Sequence, residues 1–535
     1  MAVLATLLFV GGIRVRLLNV PLERDEGEYA YVGQLILQGI PPYELAYNLK
    51  LPGTYYAYAA GMAVFGQTVA GVHLTLLAAG SLTIIFVFLL ARRTVGSLAG
   101  AVAAASYGAM SVSPVVAGLA AHATHFVVLF AVPATWLLLK ARPAGCRGTV
   151  FSSGLLFGLA FLMKQQGICF GLFGLAFLAW TAWQKNDFFS RPFAGRILFF
   201  GAGLALPFAL TCLMLAWVGV FGRFWFWTVS YARHYETLLT LREGICEHLI
   251  PRLRQTRDLS GGWWMLALAG LPAGWCARRL RRATIFAVAF WLCSFLGTGA
   301  GLYFRGHYFI LLLPAFALLL GLAVAALREI SPSAILPDAV KSLPVILFGL
   351  ILGWVIYYQA QVFFQWPAAQ VCRRLYRENP FGEAVAAAGL VREHSDDDAR
   401  VAVIGSEPEI YFYARRHSAT GYIFTYPLME PQPYALAMQY EMAREIESAR
   451  PEYLIYVPYQ TSWLQQPGSS HYLAGWLEAY VGKHYTKLGV AGYLPGGKLA
   501  SLWGAAATNA PGLAGQCLSI YQRRPGSGGK MEPAD

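Results

Sequence analysis

The chain has 535 residues, of which 57% are hydrophobic and only 13% carry a charged side chain. A soluble domain has about 25% charged residues, so this composition excludes an ordinary soluble enzyme and indicates a membrane protein. The formal net charge of +13 lies almost wholly in the first 364 residues, which hold 26 basic and 12 acidic side chains. We attribute this excess to cytoplasmic loops and to contacts with anionic lipid or phosphate groups, and we expect no nucleic-acid partner.

About eleven apolar runs approach the roughly 20 residues that a helix needs to cross a bilayer. They lie near 2–19, 68–91, 95–113, 122–140, 148–163, 167–184, 196–220, 262–277, 283–301, 308–327 and 342–361. With the N-terminus inside, most short basic loops are cytoplasmic, as the positive-inside rule requires. A signal peptide at residues 1–20 is the alternative, but neither a charged n-region nor a small-x-small cleavage site supports it.

This orientation places three longer segments outside, and it divides the chain into predicted domains. Residues 1–364 form a transmembrane domain with outer loops at 20–67 and 221–261, and residues 365–525 form an extracytoplasmic domain. Strand-like runs (RVAVIGS, GYIFTY and PEYLIYV) alternate there with helix-like runs, including 434–449, which predicts a small α/β fold. The single glycine after VAVI predicts a packing role. The Gly/Pro-rich tail 526–535 predicts disorder.

Acidic residues concentrate in the first outer loop. Four of the twelve in the first 364 residues fall within LERDEGEYAYVGQ, at Glu23, Asp25, Glu26 and Glu28. Burial at the membrane edge raises a carboxyl pKa and nearby arginines lower it, an opposition typical of functional carboxylates. The alternative is that the acids cap a helix over 27–38 and favour its N-terminal dipole, chiefly through Glu23 and Glu28.

Lys50 follows in the same loop, within GIPPYELAYNLKLPGTYY, and is the first lysine of the chain. An ammonium held by a Leu-Pro-Gly turn at the bilayer surface suits a lipid-linked phosphate. The alternative is a lysine that snorkels to the interface beside tyrosines.

The order RDEGEYAYVGQ, GIPPY, KLPGTYY and FG before the second span resembles the GT-C glycosyltransferases of family 39. That family includes protein O-mannosyltransferases and the lipid A aminoarabinose transferase, and the chain is most similar to bacterial members with unassigned acceptors. The stretch YFRGHYFILLLPAFALLLG at 303–321 also matches. Two features depart from the family: the usual Lys-Pro-Pro reads Lys50-Leu51-Pro52, and the spans are fewer than in the aminoarabinose enzymes.

The resemblance implies a polytopic α-helical GT-C fold and an inner-membrane enzyme whose active site and C-terminal domain face the periplasm. It implies Asp25 as the catalytic carboxylate. Phosphate leaves a polyprenyl-phosphate sugar without acid help, so the remaining chemical need is a base for the acceptor hydroxyl. We therefore predict inverting sugar transfer to a lipid, glycan or protein, with Asp25 as base and Glu26 either holding the acceptor or supporting Asp25.

Further polar groups on the predicted outer side extend the candidate site. Lys50, Arg305, His307 and Lys164 are predicted donor-phosphate ligands, and Arg305 can clamp phosphate oxygens with two donors. Interface anchoring is the alternative for Arg305 and His307, and snorkelling for Lys164. Possible substrate contacts are Glu28, Tyr29, Tyr43, Tyr308, His122 and His125.

We expect no resident metal; a divalent ion held by the two histidines of GLAAHATHF with the acidic pair is the alternative. Arginines alternate with aromatic residues in the loop 221–261, which resembles a single-stranded nucleic-acid platform, but its predicted position favours a membrane-surface segment. The rival function is a transporter or lipid flippase. It is disfavoured because polar residues concentrate at the outer surface and no inverted repeat is evident. The outward cations Arg14, Arg16 and Arg24 are predicted to serve the anionic donor as well.

Overall fold

The computed structural model describes residues 1–141, 147–188, 190–236, 239–330, 338–494, 497–508 and 517–525. The chain divides into two compact units. We call Met1–Leu18, Leu49–Ala57 and Val64–Pro367 the helical unit, and Asn19–Asn48, Tyr58–Ala63 and Ala368–Asp535 the sheet unit. The first predicted outer loop is thus shared between both units. The predicted disordered tail 526–535 lies outside the described residues.

A long helix occupies each of the eleven apolar runs. These helices are Ala2–Arg16, Val69–Thr94, Ser97–Ser111, Ala123–Lys140, Arg147–Met163, Ile168–Trp183, Arg191–Trp217, Ile250–Cys276, Arg281–Gly299, Leu313–Ile330 and Asp338–Tyr358. In the described residues, seven helices are long and apolar enough to cross a membrane, so the number of eleven spans stays a prediction.

The segment 221–261, predicted as a loop, is largely helical. It contains Phe221–Trp225, Phe226–Tyr231, Ala232–Glu236, Leu241–Glu243 and Gly244–Leu249, two of which are π-helices. The long helix that follows begins at Ile250 rather than 262. Arginines and Gln255 occupy its first turns, which explains why an apolar scan places its start too late.

Glycine allows two helices of the helical unit to approach closely. A Cβ on Gly154 would lie 2.2 Å from the Phe200 carbonyl oxygen, and one on Gly203 would lie 2.3 Å from that of Phe151. Arg147–Met163 therefore packs against Arg191–Trp217 by backbone contact. Small residues at such interfaces are typical of helices packed in membranes.

The predicted phosphate role of Arg14 and Arg16 is not what the structure shows. Arg14 is buried and donates to the carbonyl oxygens of Ser111 and Gly118, both at 3.1 Å. Arg16 donates to the Trp366 carbonyl at 2.8 Å and to two carbonyls just before it. Carbonyls at helix ends lack helical partners, so these guanidiniums satisfy backbone groups.

The sheet unit is built on six strands in the order β2-β1-β3-β6-β4-β5. The strands are β1 (Arg400–Ile404), β2 (His417–Ser418), β3 (Tyr453–Tyr456), β4 (Tyr485–Tyr493), β5 (Leu499–Trp503) and β6 (Leu518–Arg523). β1 pairs in parallel with β2 and β3, whereas all pairs involving β6 or β4 are antiparallel.

Nine helices belong wholly to this unit and cover the sheet or precede it. They are Arg24–Leu37, Ala368–Tyr376, Phe381–His394, Glu409–Ala414, Tyr426–Met429, Ala435–Ala449, Gln460–Trp463, Tyr472–His484 and Ala505–Thr508. These nine helices and their bounds are those found in the described part of the chain. A further helix, Gly53–Phe65, carries residues of both units.

Sequence patterns located part of this α/β fold. RVAVIGS and PEYLIYV contain strands β1 and β3, and the helix predicted over 434–449 is present. The strand predicted for GYIFTY is wrong, because side chains take its backbone hydrogen bonds: Glu445 accepts from Gly421 N and Ser406 from Thr425 N. The predicted packing role of Gly405 is confirmed, since a Cβ there would lie 2.6–2.8 Å from three neighbouring side chains.

Candidate functional site

The acidic cluster forms the start of the helix Arg24–Leu37, which we call the acidic helix. Glu23 is its N-cap, and its carboxylate accepts from the Glu26 amide at 2.9 Å. The Glu26 carboxylate in turn accepts from the Glu23 amide at 3.3 Å, which completes a reciprocal capping box. The helix therefore begins three residues earlier than predicted. Capping, expected mainly of Glu23 and Glu28, involves Glu23 and Glu26.

The four candidate residues of this helix differ in accessibility. Asp25 is half-buried, whereas Glu26 and Glu28 are 1% and 0% exposed. Tyr29 is buried and meets the Tyr58 ring edge to face, with centroids 5.3 Å apart. Asp25 is thus more exposed than Glu26 and Glu28, and its catalytic role stays a prediction.

Tyr43, also a predicted substrate contact, is fully buried at a positive φ of 67°. A bulky side chain adopts that conformation only where the surroundings hold it. Tyr43 belongs to the sheet unit and follows Gly-Ile-Pro-Pro after the acidic helix. Its burial favours a structural role over substrate contact.

Arg24 anchors the acidic helix within the sheet unit. Its guanidinium forms an ion pair with Glu407 at 2.7 Å, donates to Asn379 Oδ1 at 3.1 Å, and bonds the Ser406 carbonyl. The rings of Phe381 and Tyr426 lie 5.5 and 5.3 Å from it. Burial alone would lower the pKa of Arg24, but the surrounding phenol and carboxylates raise it above its ordinary value. The prediction that Arg24 binds the anionic sugar donor is therefore wrong, because its charge is committed to the ion pair with Glu407.

Glu409 lies directly behind the acidic helix and was missed by the sequence analysis. A Cβ on Gly27 would lie 2.5 Å from Glu409 Cβ, so only glycine permits this approach. Glu409 is 0% exposed, and neither carboxyl oxygen has a hydrogen-bond partner in the described residues. Burial, with the charge of Glu407 adding to it, raises its pKa well above the ordinary value.

Phenol side chains surround the start of the acidic helix. Burial raises the pKa of Tyr376 well above its usual value, and the charges of Glu26 and Glu23 add to the effect. Tyr58 is raised in the same way, with Glu26 as the largest charge contribution to its pKa. These phenols remain protonated beside the carboxylates, so they can act as hydrogen-bond donors. No local motif marks them in the sequence.

The predicted phosphate-binding residues belong to the helical unit. The segment around Lys50 packs against the chain after the helix Arg147–Met163: Gln165 Nε2 donates to the Leu49 carbonyl at 2.7 Å, and Thr54 Oγ1 donates to the Met163 carbonyl at 2.8 Å. Both backbones are therefore held together at the positions next to Lys50 and Lys164. Each of these lysines is half-buried.

Lys164 connects the segment around Lys50 with the stretch 303–321. Its Nζ lies 4.5 Å from the centroid of the Tyr308 ring, a cation–π distance. Tyr308 is buried, whereas the neighbouring Arg305 is exposed and lies 5.3 Å from the Tyr303 ring. We call the four predicted phosphate ligands Lys50, Lys164, Arg305 and His307, all of which belong to the helical unit, the basic cluster.

The histidines are arranged differently from the pattern seen in the sequence. The His122 ring stacks on His307 at 4.1 Å and 18°, which brings two predicted site residues together across 185 positions. His125 is buried one turn further along the helix Ala123–Lys140. A divalent ion bound in this region would take the imidazole nitrogens of His122 and His307 as ligands.

Comparisons with known proteins agree with this architecture. Residues 50–217 match the family Dolichyl-phosphate-mannose-protein mannosyltransferase. An undecaprenyl phosphate-alpha-4-amino-4-deoxy-L-arabinose arabinosyl transferase of Pseudomonas aeruginosa is 29% identical over 50% of this chain and 49% of its own length. The chain thus spans about half the length of the curated relatives it matches.

Solved structures match nearly the whole chain. ArnT from Cupriavidus metallidurans, bound to undecaprenyl phosphate, superposes with a TM-score of 0.60 at 15% identity, covering 99% of this chain and 98% of ArnT. The chain has the GT-C fold. The archaeal oligosaccharyltransferase AglB of Archaeoglobus fulgidus, solved with an inhibitory peptide and a dolichol-phosphate, gives 0.53 at 14% identity, covering 95% of this chain and 74% of AglB.

The GT-C fold and its apolar helices make the chain a multi-pass membrane protein related to the aminoarabinose transferases. The predicted fold class, transmembrane helices with a C-terminal α/β domain, is confirmed. The matched family segment begins at Lys50 and includes Lys164, but Asp25 and Arg305 lie outside it. The predicted roles of Asp25 and Arg305 therefore draw no support from this match, and the roles of all four residues stay predictions.

Proposed function

We propose that this protein is an integral-membrane glycosyltransferase that moves a sugar from a polyprenyl-phosphate carrier to an extracytoplasmic lipid, glycan or protein. The single observation that carries the proposal is the match of nearly the whole chain to the GT-C fold of ArnT. The curated relatives named as undecaprenyl phosphate-linked arabinosyl transferases support the same chemistry. The rival function, a transporter or flippase, has no support from these comparisons.

Asp25 acts as the general base in this proposal. It removes the proton of the acceptor hydroxyl while that oxygen attacks the anomeric carbon, and the bond to the carrier phosphate breaks on the opposite face. The sugar is transferred with inversion, and the carrier leaves as a polyprenyl phosphate. A positioned base contributes roughly 10²–10⁴-fold to such a step. Its place in the first turn of a helix keeps the carboxylate in a defined direction.

Glu26 supports Asp25 rather than holding the acceptor. Its carboxylate is occupied in the capping box with the Glu23 amide, and its side chain is 1% exposed. Of the two roles predicted for it, a buried cap fits only the positioning one. Glu28 is 0% exposed, so we assign it a supporting role in the helix instead of a contact with the substrate.

The basic cluster binds the carrier phosphate. Lys50 and Lys164 supply compact ammonium charges, and Arg305 supplies a planar pair of donors that matches two phosphate oxygens. These cations stabilise the charge that develops as the phosphate departs. We further propose an inner-membrane location with the reacting groups on the periplasmic side, because the short basic loops then face the cytoplasm.

Replacement of Asp25 by asparagine tests the proposal. The full-length protein would be reconstituted in vesicles with undecaprenyl phosphate-linked 4-amino-4-deoxy-arabinose, and with the corresponding mannose carrier, in the presence of extracted envelope lipids and glycans. We expect sugar transfer in the variant to fall by about 10²–10⁴-fold, because the base is lost.

The matched control is Glu44→Gln, an exposed acid in the same first segment, which should keep wild-type transfer. Undecaprenyl phosphate binding, followed by tryptophan fluorescence, should be unchanged in D25N and would show that the protein remains folded. Full transfer by D25N would contradict the role of Asp25. Carrier movement across vesicles by a wild-type protein that transfers no sugar would contradict the whole proposal.

A further inference from the structure

A cleft lies within the sheet unit, lined by residues between 456 and 521 and therefore well away in sequence from the acidic helix. Its volume is about 840 Å³, within the range of small-molecule sites. It is bounded by the ends of β3 and β6 and by the helices Gln460–Trp463 and Tyr472–His484. The proposed transfer reaction gives this cleft no role.

Four aromatic rings line it. Tyr459 and Trp463 are mostly buried and form the deeper part, whereas Tyr456 and Tyr521 are half-buried at the sides. In the β3–β6 register, Tyr521 is opposite Leu454 and Ser519 is opposite Tyr456. The two half-buried tyrosines are therefore diagonal neighbours on one face of the sheet, within reach of a single ligand.

Hydrogen bonds fix the deeper rings in place. The Trp463 indole N–H donates to the Val457 carbonyl at 2.8 Å, and the Tyr459 hydroxyl donates to Glu383 Oε1 at 2.9 Å. Tyr456 meets Trp463 edge to face at 6.2 Å and 67°. A preorganised set of rings loses little conformational entropy when it binds a ligand.

The polar groups of the cleft are mainly amides. Gln460 and Gln465 are exposed at its rim, and each carboxamide offers both donors and an acceptor. Among the described residues that line it, Glu478 is the only charged one, and it is exposed. A phosphate or carboxylate ligand would meet no cation here, which disfavours nucleotides, phospholipids and acidic sugars.

A peptide strand also fits poorly. β3 is paired on both sides, by β1 and β6, and β6 is paired by β3 and β4. The cleft therefore offers no open strand edge for β-augmentation, the usual mode of binding an extended peptide to a sheet.

We propose that this cleft binds a saccharide that is neutral or carries an amino group. The apolar C–H face of a pyranose ring would pack on Tyr456 and Tyr521, and its hydroxyl groups would exchange hydrogen bonds with Gln460 and Gln465. Glu478 would attract an ammonium group of an amino sugar. The cleft is large enough for more than one sugar ring, so an oligosaccharide is the expected ligand class.

The test uses three tetrasaccharides that differ in charge: glucosamine tetramer (cationic), chitotetraose (neutral) and tetragalacturonate (anionic). Binding to the full-length protein in nanodiscs would be measured by calorimetry, without any sugar donor, so the result does not depend on transfer activity. We expect chitotetraose to bind, glucosamine tetramer to bind at least as tightly at low salt, and tetragalacturonate to bind at least ten times more weakly.

Variants then locate the binding. Tyr456→Ala and Tyr521→Ala should each weaken chitotetraose binding about tenfold, which corresponds to about 1.4 kcal/mol for the loss of one aromatic contact. Tyr440→Ala, an exposed tyrosine on another helix of this unit, should have no effect. Glu478→Gln should remove the preference for the cationic tetramer and leave chitotetraose binding unchanged.

Three outcomes would overturn the proposal. The first is that neither glucosamine tetramer nor chitotetraose binds. The second is that binding is unchanged in both tyrosine variants, and the third is that tetragalacturonate binds more tightly than the other two. Binding of an unstructured peptide that competes at Tyr456 while the saccharides do not bind would assign the cleft to a peptide instead. Intact saccharide binding by a wild-type protein that transfers no sugar, or full transfer by D25N, would contradict only the transfer function.

Discussion

The acidic helix and the segment around Lys50 belong to the same stretch 20–67, yet the protein supports them in different ways. The acidic helix is regular, capped at its start, and anchored in the sheet unit by a buried ion pair. The Lys50 segment is irregular and belongs to the helical unit, where Gln165 donates a hydrogen bond to the Leu49 carbonyl and Thr54 donates one to the Met163 carbonyl. The comparison separates two kinds of cation: Arg24 serves the fold, whereas Lys50 is proposed to serve the donor.

Replacement of Arg24 should have the largest effect on stability. Arg24→Ala leaves the Glu407 carboxylate buried without its guanidinium, and breaking such a pair costs about 3–5 kcal/mol. We expect a marked loss of thermal stability in detergent, together with lost transfer, because the acidic helix is no longer anchored.

Arg392→Ala, an exposed arginine of the same unit, is the matched control and should remain as stable as wild type. The double variant Arg24→Met with Glu407→Leu should recover part of the stability, because it removes the unpaired charge but also the hydrogen bonds that Glu407 accepts from Ser406 and Ser462. Equal stability of Arg24→Ala and Arg392→Ala would show that Arg24 is not the anchor.

The anchor also shows where sequence reasoning stops. Apolar runs located the long helices, and two of three predicted strands were found, because burial leaves a periodic local signal. The partner of Arg24 lies 383 residues away, and no local pattern reports a contact of that separation. The concentration of acids points to Asp25, and an isolated lysine at a Leu-Pro-Gly turn points to Lys50. Glu26 can be recognised as part of a cap only once the structure shows Glu23 as the N-cap.

Replacement of Lys50 should weaken binding of the carrier phosphate more than it lowers thermal stability. Lys50→Ala removes one charged contact to the carrier phosphate, which corresponds to about 1.5–3 kcal/mol, or roughly 10–100-fold in the Kd for undecaprenyl phosphate. Thermal stability should fall less than in Arg24→Ala, because Lys50 is half-buried, whereas Arg24 forms a 2.7 Å ion pair with a fully buried Glu407.

Lys185→Ala, an exposed lysine of the helical unit, serves as the control and should bind the carrier normally. Lys50→Arg should recover part of the affinity because it restores the positive charge. An unchanged Kd in Lys50→Ala would mean that Lys50 lies at the interface only as an anchor. A large loss of stability would place it with Arg24 among the structural cations.

Gly27 tests how closely the acidic helix must pack. Gly27→Ala would place a Cβ 2.5–2.7 Å from the backbone and Cβ of Glu409, so one helix has to move. Overpacking of this kind costs about 1–3 kcal/mol. Gly389→Ala is the matched control, because a Cβ there meets nothing within 4 Å and helical alanine is favoured over glycine by about 0.5–1 kcal/mol. We expect lower stability in the first variant and equal or higher stability in the second.

The raised pKa of Glu409 predicts that stability decreases as pH rises, opposite to the usual effect of a carboxyl group. Its pKa is raised in the folded protein, so the folded state keeps a proton that the unfolded chain has already lost. Stability therefore falls as pH rises from the ordinary carboxyl pKa through the raised value. Glu409→Gln imitates the neutral acid and cannot lose this proton. We expect it to be more stable than wild type at pH 8 and to match it near pH 4.

Thermal unfolding in detergent across this pH range would measure the difference, with the exposed Glu393→Gln as the control that follows wild type. A parallel pH profile for Glu409→Gln would show that the carboxyl is ionised and satisfied in the folded protein. The result bears on the acidic helix itself, because Glu409 contacts it at Gly27. A neutral Glu409 leaves Arg24 and Glu407 as a balanced pair, whereas an ionised one would add a second negative charge behind Asp25.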